Sequence, residues 1–526
     1  MKNHSPDCKN PDSPSDGLSN FKSLEGNVGP IRGYMFLAPK MTKKMWYWCA
    51  GSVGNAGLFE FLGMFLLYYY NQILGLSAYL ATIAIAISMT FDALSDPTIG
   101  YLSDRYRHPL GRRIPFMLAG VLPTGLCIIL LFGIQLDLSQ FMLFMQMTIL
   151  TTLFRVAHTV YNVPREALAL EMYRDYDQRT ALWSHSKIAN IIGVAFVMAP
   201  ILLFFMSEDW ADPKGFIWSA IWVSAIFIGY NGYSSWRMRH IEREEKLPPN
   251  QIARPSLKEL LPEIRSLVTN KSWLALFLAM IFFGLNGGLN GGSALYLNNF
   301  FWHWGPSDLF WSGFIQMPGA IAASLWILAL IEKRFDKKQL AIYLALAAIV
   351  TAPILMGTRL LDIHYDTNIL PPTGEGTLSL LWWLYCINAF IQNFLWTGFW
   401  ILIASMFSDI VEDEQMKTQT RSEGLVFSAN NLLNKLVANF GILASGFMLT
   451  WAGFDIAETF LEKEVAASYL ALVFIISGAV AGTLSIFMIL RYQITRSEHG
   501  QQLKNLGFSQ ETSSDLANSQ PLDVSD

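Results

Sequence analysis

Long apolar stretches alternate with short polar segments over most of the chain. Twelve of these stretches have about the 20 residues that an α-helix needs to cross the hydrocarbon core of a bilayer. They cover residues 45–70, 79–102, 114–134, 141–163, 188–206, 216–236, 273–300, 309–331, 340–358, 378–407, 425–450 and 466–490. The pattern therefore predicts an all-α membrane protein with twelve transmembrane helices.

The basic residues of the connecting segments are concentrated on one side of this predicted arrangement. The loops of that side contain Lys40, Lys43, Lys44, residues 105–113, Arg174, Arg179, residues 237–271, Lys333, Arg334, Lys337, Lys338, Lys417 and Arg421. The loops of the other side contain Lys214, Arg359 and Lys463. Because lysine and arginine mark the cytoplasmic side of a membrane protein, both termini are expected to be cytoplasmic.

The sequence divides into an N-terminal bundle of six helices, residues 41–236, and a C-terminal bundle, residues 272–491. In the connecting loop, 237–271, Pro248, Pro249 and Pro255 precede a candidate amphipathic helix, SLKELLPEIRSLV. The segments ALALEMYRDYDQRT and SMFSDIVEDEQMKTQTRS echo each other after helices four and ten, so we expect two pseudo-symmetric bundles. Such repeats place a substrate cavity between the bundles. The polar ends, 1–40 and 492–526, are predicted to be disordered cytoplasmic tails.

The composition excludes several classes of function. Of the residues, 52% are hydrophobic and 15% are charged, whereas soluble domains carry about 25% charged residues. The four cysteines form no CxxC pair, and the chain has neither HExxH nor the Gly-Lys of a P-loop. We therefore expect no zinc site, no ATP hydrolysis, no enzymatic activity and no cofactor.

Two carboxylates lie inside the second predicted helix. Asp92 and Asp96 are four residues apart, which places them on one helix face. A charge at the bilayer centre costs roughly 2.5–3.5 kcal/mol on insertion scales, so such groups usually have a function. The pair suits a small cation, because hard cations prefer oxygen ligands. The alternative is a structural pairing with Lys435 or Arg155.

Three segments carry a resemblance to a known family: LLYYYNQILGLS, FDALSDPTIGYLSDRYRHPLGRRIP and SDIVEDEQMKTQTRSEGLVFSANNLLNK. Residues 46–491 resemble the major facilitator superfamily, and within it the glycoside–pentoside–hexuronide:cation symporters of the melibiose permease type. The resemblance implies symport of a sugar with sodium or a proton by alternating access. It also implies a cation site formed by Asp92, Ser95, Asp96 and Thr159, with Lys435 interacting with that site. Our hypothesis is that Lys435 neutralises the carboxylates when the cation is absent.

The chain departs from the family at the sugar site. The acids of helices one and four are replaced by Ala56 and Asn162, the arginine of helix five by Lys187, and an aromatic residue of helix four by Glu166. Galactoside specificity is therefore not implied. Animal sodium-dependent lysophospholipid transporters share the cation pattern, so a lysolipid-like solute is the alternative, and an uncoupled facilitator is a third. The candidate substrate-binding residues are Glu60, Arg155, Asn162, Lys187 and Trp396.

Other positions leave two interpretations open. Arg155 and His158 either meet an anionic part of the substrate, or Arg155 pairs with Glu60. The run GLNGGLNGGS, which interrupts helix seven, either lets helices approach closely or forms a hinge that presents Asn286 and Asn290. Trp396 and Trp400 either stack on a sugar ring or belong to the membrane interface.

A charged turn follows helix two on the cytoplasmic side. Asp104, Arg105, Arg112 and Arg113 are the candidate cytoplasmic gate, formed by ion pairs with helix ends; simple anchoring by the arginines is the alternative. We expect a monomer in the plasma membrane, or in the inner membrane if the source is bacterial. Its expected partners are a small solute, a monovalent cation and the lipid bilayer, without nucleic acid.

Overall fold

The computed structural model describes residues 41–133, 138–173, 176–206, 210, 212–244, 270–332, 336–372, 376–418 and 423–493. Twelve long helices account for most of this part of the chain. They are α1 Lys43–Tyr68, α2 Ala78–Arg105, α3 Ile114–Gly133, α4 Gln140–Met172, α5 Tyr176–Pro200, α6 Pro213–Glu244, α7 Lys271–Tyr296, α8 Pro306–Glu332, α9 Lys337–Tyr365, α10 Leu380–Thr418, α11 Glu423–Ala452 and α12 Phe460–Leu490. The predicted tails and the predicted helix SLKELLPEIRSLV lie outside the described residues.

Within those residues, ten of the helices are long and apolar enough to cross a membrane; α8 and α11 are not among the ten. The exposed surface carries many large apolar side chains, such as Phe141, Phe204 and Tyr343. Apolar side chains on the outside of a helical bundle suit contact with lipid. The chain is therefore a multi-span helical membrane protein.

Several helices extend beyond their apolar stretches. α6 continues to Glu244 and α10 to Thr418, although the apolar pattern ends near residues 236 and 407. The backbone hydrogen bonds of a helix also form outside the membrane, so a helix does not have to end where the hydrophobic residues end. The predicted interruption of helix seven is wrong, because α7 is continuous through residues 284–293. In lipid the backbone groups must be satisfied within the segment, which keeps even a glycine-rich run helical.

Side-chain caps fix the first turns of several helices. Thr42 accepts a hydrogen bond from the amide of Met45 at the start of α1, and Asp336 does the same at the start of α9. Thr459 and Glu462 form a reciprocal capping box at the start of α12. These side chains satisfy amides that have no partner inside the helix.

The helices pack as two groups with a seam between them. In the first group α1 packs on α5 and α6, and α4 packs on α2 and α3. In the second group α7 packs on α11 and α12, and α10 packs on α8 and α9. Contacts between the groups are made chiefly by α2 with α11 and by α1 with α7. A binding site between the groups is therefore expected among α1, α2, α7 and α11.

The first helix of each group ends in the same unusual way. α1 is followed by a π-helical turn, Tyr69–Ile73, and α7 by the π-helical turn Leu297–Phe301. Each turn is followed by a residue with positive φ, Gly75 at 76° and His303 at 60°. Corresponding residues are 228 positions apart throughout. The backbone conformation is thus repeated in the two groups, although the sequence shows this repeat only weakly.

Glycines allow α2 and α11 to approach closely. A Cβ atom added to Gly446 would overlap the side chain of Thr82, whereas one added to Gly291 would have no atom within 4 Å. Between α7 and α11, a Cβ on Gly441 would lie 2.7 Å from the Cα of Gly288. The small residues of these helices therefore determine how closely they pack.

Alanine at two of these glycines should have opposite effects on stability. Both substitutions gain about 1 kcal/mol of helix propensity, but Gly446→Ala overpacks the α2–α11 contact at a cost of about 1–3 kcal/mol. We expect Gly446→Ala to lower the melting temperature of the purified protein and Gly291→Ala to leave it unchanged or slightly raised. Equal melting temperatures for the two variants would contradict the close packing.

Candidate functional site

Two helices of the first group bring four oxygen-bearing side chains together. The Thr159 hydroxyl on α4 lies 3.0 Å from Oδ1 of Asp92 and 3.2 Å from Oδ1 of Asp96, both on α2. Ser95 Oγ lies 3.3 Å from the same hydroxyl and donates to the backbone carbonyl of Asp92. Asp92 and Thr159 are buried, at 8% and 1% exposure. The four residues form a compact oxygen cluster inside the membrane domain.

The sequence explains why this cluster forms. Asp92 and Asp96 are one turn apart on α2, and α2 packs along α4, which places Thr159 between them. Pro97 lies inside α2 directly after Asp96. Because proline has no N–H, the carbonyl four residues earlier, that of Ala93, loses its helical donor. Two carboxylates and two hydroxyls supply the oxygen ligands that a hard cation prefers.

Arg155 lies one helical turn before Thr159 on the same face of α4. Its guanidinium group lies 5.8 Å from the centre of the Phe59 ring on α1, within the range of a cation–π contact. Thr159 on the same face contacts both Asp92 and Asp96, so Arg155 lies one turn from the point where α4 meets the carboxylate pair. The predicted alternative, an ion pair of Arg155 with Glu60, does not form: no oxygen of Glu60 lies within 4.0 Å of the guanidinium nitrogens. The backbone of Lys435 lies in α11, but its side chain is outside the described residues.

Two adjoining cavities lie near the boundary of the helix groups: the first is lined by both groups, and the second by the second group together with Glu60 of α1. The first, which we call the apolar cavity, has a volume of about 530 Å³. α7 contributes a wall of glycines to it, and among the described residues that line it Arg155 is the charged one. Its other lining residues include Phe59, Ser88, Phe154, Trp396 and Trp400. Both cavities fall in the size range of small-molecule sites.

The second, which we call the amide cavity, has a volume of about 770 Å³. Glu60 is its charged residue, and seven amide side chains line it: Asn286, Asn290, Asn298, Gln316, Asn388, Gln392 and Asn393. Trp396, Gly287 and Gly291 line both cavities, so the two compartments share a wall. Amides that both donate and accept hydrogen bonds suit a hydroxylated solute.

The predicted substrate residues are thus divided. Glu60 lies in the amide cavity, Arg155 in the apolar cavity, and Trp396 in both. Trp396 stacks on Phe283 with ring centres 4.0 Å apart. Lys187 is exposed on α5 and lines neither cavity. Asn286 and Asn290 do face a cavity, but from a continuous helix and not from a hinge.

Asn162 belongs to a hydrogen-bonded chain between α1 and α4. Its amide nitrogen donates to Glu166 (3.0 Å), and its amide oxygen accepts from Asn55 (3.3 Å). The oxygen of Asn55 lies 2.8 Å from Nε2 of His158. A carboxylate accepts only, so an ionised Glu166 fixes the direction of the whole chain and makes His158 the donor at Nε2. These hydrogen bonds fix the side chain of His158, the residue directly before Thr159.

The candidate gate residues lie where α2 joins α3. We call this end of the helix bundle the basic end. Arg113, which is 3% exposed, forms an ion pair of 3.0 Å with Asp104. Both residues belong to the first group of helices. Arg105 is exposed and lies over the Tyr101 ring at 4.1 Å. The pair of Asp104 and Arg113 therefore braces one half, whatever further contacts these residues make.

The opposite end, which we call the closed end, contains a contact that the sequence analysis missed. Asp455, in the loop between α11 and α12, accepts hydrogen bonds from the Ser77 hydroxyl (2.7 Å) and the Ala78 amide (2.9 Å) at the start of α2. It also accepts from the Asn71 amide group at 2.9 Å and the Thr450 hydroxyl at 2.8 Å. The carboxylate of one half thus caps a helix of the other half.

A second pair of contacts at the closed end is reciprocal. The Tyr296 hydroxyl donates to Asn71 at 2.9 Å, and the Asn299 amide donates to the Tyr68 hydroxyl at 2.8 Å. The two tyrosine rings also meet, with centres 5.2 Å apart. Tyr296 and Asn299 follow Tyr68 and Asn71 by 228 positions, so the spacing Tyr-x-x-Asn in both halves was a signal that could have revealed this contact.

Comparison with known proteins places this geometry in context. Residues 48–496 match a family described as MFS/sugar transport protein. The inner membrane symporter YicJ of Escherichia coli is 24% identical over 84% of this chain and 89% of its own length. The putative glycoside/cation symporter YagG of the same organism is 22% identical over 82% and 88%. A solved structure of a bacterial homologue of the iron transporter ferroportin, in an inward-facing state, has a TM-score of 0.57 at 14% identity, over 85% of this chain and 97% of that one.

Proposed function

Because this chain belongs to the MFS/sugar transport family, and is therefore a membrane transporter and not an enzyme, we propose that it is a symporter of a sugar or glycoside with sodium or a proton. The observation that carries the proposal is the cluster of Asp92, Ser95, Asp96 and Thr159. It lies one helical turn from Ser88 and Arg155, which line the apolar cavity between the halves. The relatives named as symporters support the proposal.

In the proposed topology all twelve helices cross the membrane and both termini are cytoplasmic. The basic end then faces the cytoplasm, because it carries the arginines and lysines of the loops. The closed end, where Asp455, Tyr68 and Tyr296 join the halves, would then face the outside. Alternating access requires the contacts of Asp455, Tyr68 and Tyr296 to break when the protein opens outward.

The amide cavity supports a hydroxylated solute as the cargo. The amide groups of Asn388 and Gln392 donate to Thr351, at 3.3 and 2.8 Å, which leaves their oxygens as acceptors. Oδ1 of Asn286 is buried and has no hydrogen-bond partner among the described residues. Hydroxyl groups of a sugar would satisfy these oxygens. The apolar cavity is the feature that favours the second candidate, a lysolipid-like solute.

Transport by the purified protein in liposomes tests the proposal. We expect accumulation of at least one labelled sugar or glycoside against its gradient when a sodium or proton gradient is imposed, and no accumulation when both are collapsed. Accumulation of lysophospholipid but of no sugar would assign the second candidate. Downhill movement that no cation gradient can drive uphill would make the protein a facilitator.

A further inference from the structure

His303 occupies a backbone conformation that favours glycine. It lies in the loop between α7 and α8, residues 302–305, and has a φ of 60°. The equivalent residue of the first half, 228 positions earlier, is Gly75 with a φ of 76°. Residues other than glycine are uncommon at positive φ, and such residues cluster at functional sites and switch regions. The backbone here does not require a histidine, so its side chain is what distinguishes the second half.

The imidazole of His303 contacts α12. Its Nε2 lies 2.8 Å from Oε1 of Glu464, and the two side chains are 35% and 31% exposed. The imidazole also lies 5.8 Å from the Phe460 ring at the start of α12, measured between ring centres. The pair thus joins the α7–α8 loop to the first turns of α12 at the closed end, where the solution can change its protonation.

The two neighbours of His303 line the amide cavity and contact the other half. Trp302 lines the amide cavity. The backbone carbonyl of Trp304 accepts a hydrogen bond of 3.0 Å from Nε1 of Trp210, which belongs to the first half. The two indole rings of Trp302 and Trp304 are buried and nearly parallel, with centres 6.5 Å apart. Because His303 lies between these residues, whatever holds its side chain also holds both of them.

The charge of His303 depends on pH in the physiological range. Histidine changes its charge between pH 5 and 8, and a charge-assisted hydrogen bond to a carboxylate is roughly twice as strong as a neutral one. The other charged side chains near the pair are Glu462 and Lys463 on α12, Arg359 and Asp362 on α9, and Asp308 on α8. Lys463 and Arg359 oppose a positive charge on the imidazole, whereas Glu464, which contacts it directly, stabilises that charge.

We propose that the bond between His303 and Glu464 is a pH-sensitive contact that stabilises the closed end. When His303 is protonated, the bond holds the α7–α8 loop on α12, where Trp304 accepts the hydrogen bond from Trp210. When the pH on that side rises and the imidazole becomes neutral, the bond weakens and the closed end opens more often. The inference goes beyond the proposed symport, because it concerns access to the cavities and neither the solute nor the coupling ion.

Two substitutions remove the titrating pair in different ways. His303→Asn keeps the loop backbone, because asparagine adopts the left-handed conformation readily. Glu464→Gln leaves His303 in place and removes the carboxylate. His364→Asn is the matched control, since His364 is exposed in the last turn of α9, at the same end of the molecule. Exposed ion pairs contribute little, so we expect an effect of about two- to fivefold on the equilibrium between closed and open forms.

Cysteine labelling in sealed vesicles measures this equilibrium. The reporter is Gly291→Cys, which lines both cavities, in a Cys8→Ser background. An impermeant maleimide is added from the closed side at about pH 6 and at about pH 8. Thiols react faster at higher pH, so each variant is compared with the parent at the same pH. At the lower pH, His303→Asn and Glu464→Gln should be labelled about two- to fivefold faster than the parent; at the higher pH the difference should shrink. His364→Asn should match the parent at both.

Three results would overturn the inference. They are equal labelling of the variants and the parent at both pH values, a difference that is the same at both, and a similar change in His364→Asn. Labelling needs neither a solute nor an ion gradient, so its outcome is independent of the symport proposal. Uptake would not separate the two, because acid also changes the driving force of a proton symporter.

Discussion

Replacement of Asp92 by asparagine is expected to abolish cation-driven accumulation of the solute. Asparagine keeps the size of the side chain and one oxygen for the Thr159 hydroxyl, which lies 3.0 Å away, but it removes a charge. Interactions with charged groups contribute about 1.5–3 kcal/mol, so the affinity for the cation should fall on the order of 10- to 100-fold. Accumulation in liposomes under a sodium or proton gradient is the measurement.

Downhill movement of the solute through Asp92→Asn should persist, because the cavities are unchanged. Asp366→Asn is the matched control: Asp366 is exposed and has a left-handed φ of 56°, a conformation that asparagine adopts readily. It should accumulate solute like the wild type. Normal accumulation by Asp92→Asn would show that the oxygen cluster does not couple a cation to transport.

Replacement of Asp455 by asparagine is expected to open the closed end. The carboxylate accepts four hydrogen bonds, two of them at the first turn of α2 in the other half. Asparagine replaces one carboxylate oxygen by an amide nitrogen, which would face hydrogen-bond donors and cannot accept from them. The attraction between the negative charge and the N-terminus of α2 would also be lost. A change of about 2–3 kcal/mol would shift the conformational equilibrium roughly 30- to 150-fold.

Cysteine accessibility can measure this shift. Gly291→Cys reports on the cavities, because it lines both and a Cβ there has no atom within 4 Å. Cys49, Cys127 and Cys386 are buried, so only Cys8 needs replacement. An impermeant maleimide added from the closed side should label Asp455→Asn many times faster than the parent. Asp336→Asn, which changes a helix cap inside one half, is the control and should not change the labelling rate. If Asp455→Asn lowers the melting temperature without faster labelling, Asp455 has a role in stability only.

The sequence predicts the helical class and the shared face of Asp92 and Asp96, because both depend on local spacing. Apolar runs of the right length predict helices, and two aspartates one turn apart predict a shared face. Thr159 came from the family resemblance, and its distance to both carboxylates agrees with that assignment, although its role as a cation ligand stays a prediction. Helix ends were less predictable, because α6 and α10 continue into polar sequence.

Apart from the Tyr-x-x-Asn spacing that both halves share, the sequence contains no signal for the contacts between the halves. Asp455 is a single acid in a short loop, and only the packing of the two groups brings it to Ser77 and Ala78. The amide cavity likewise draws its side chains from several helices of the second group and Glu60 from the first. The sequence showed the glycines of α7, but their environment decides that they line a cavity in an unbroken helix.

The bonds of Tyr296 with Asn71 and of Asn299 with Tyr68 join equivalent positions of the two halves, with tyrosine the donor in the first and asparagine in the second. In the proposed alternating-access motion both bonds would be stretched by a similar amount, because they occupy equivalent positions in the two halves. They would then break and re-form together, as one cooperative contact between the halves.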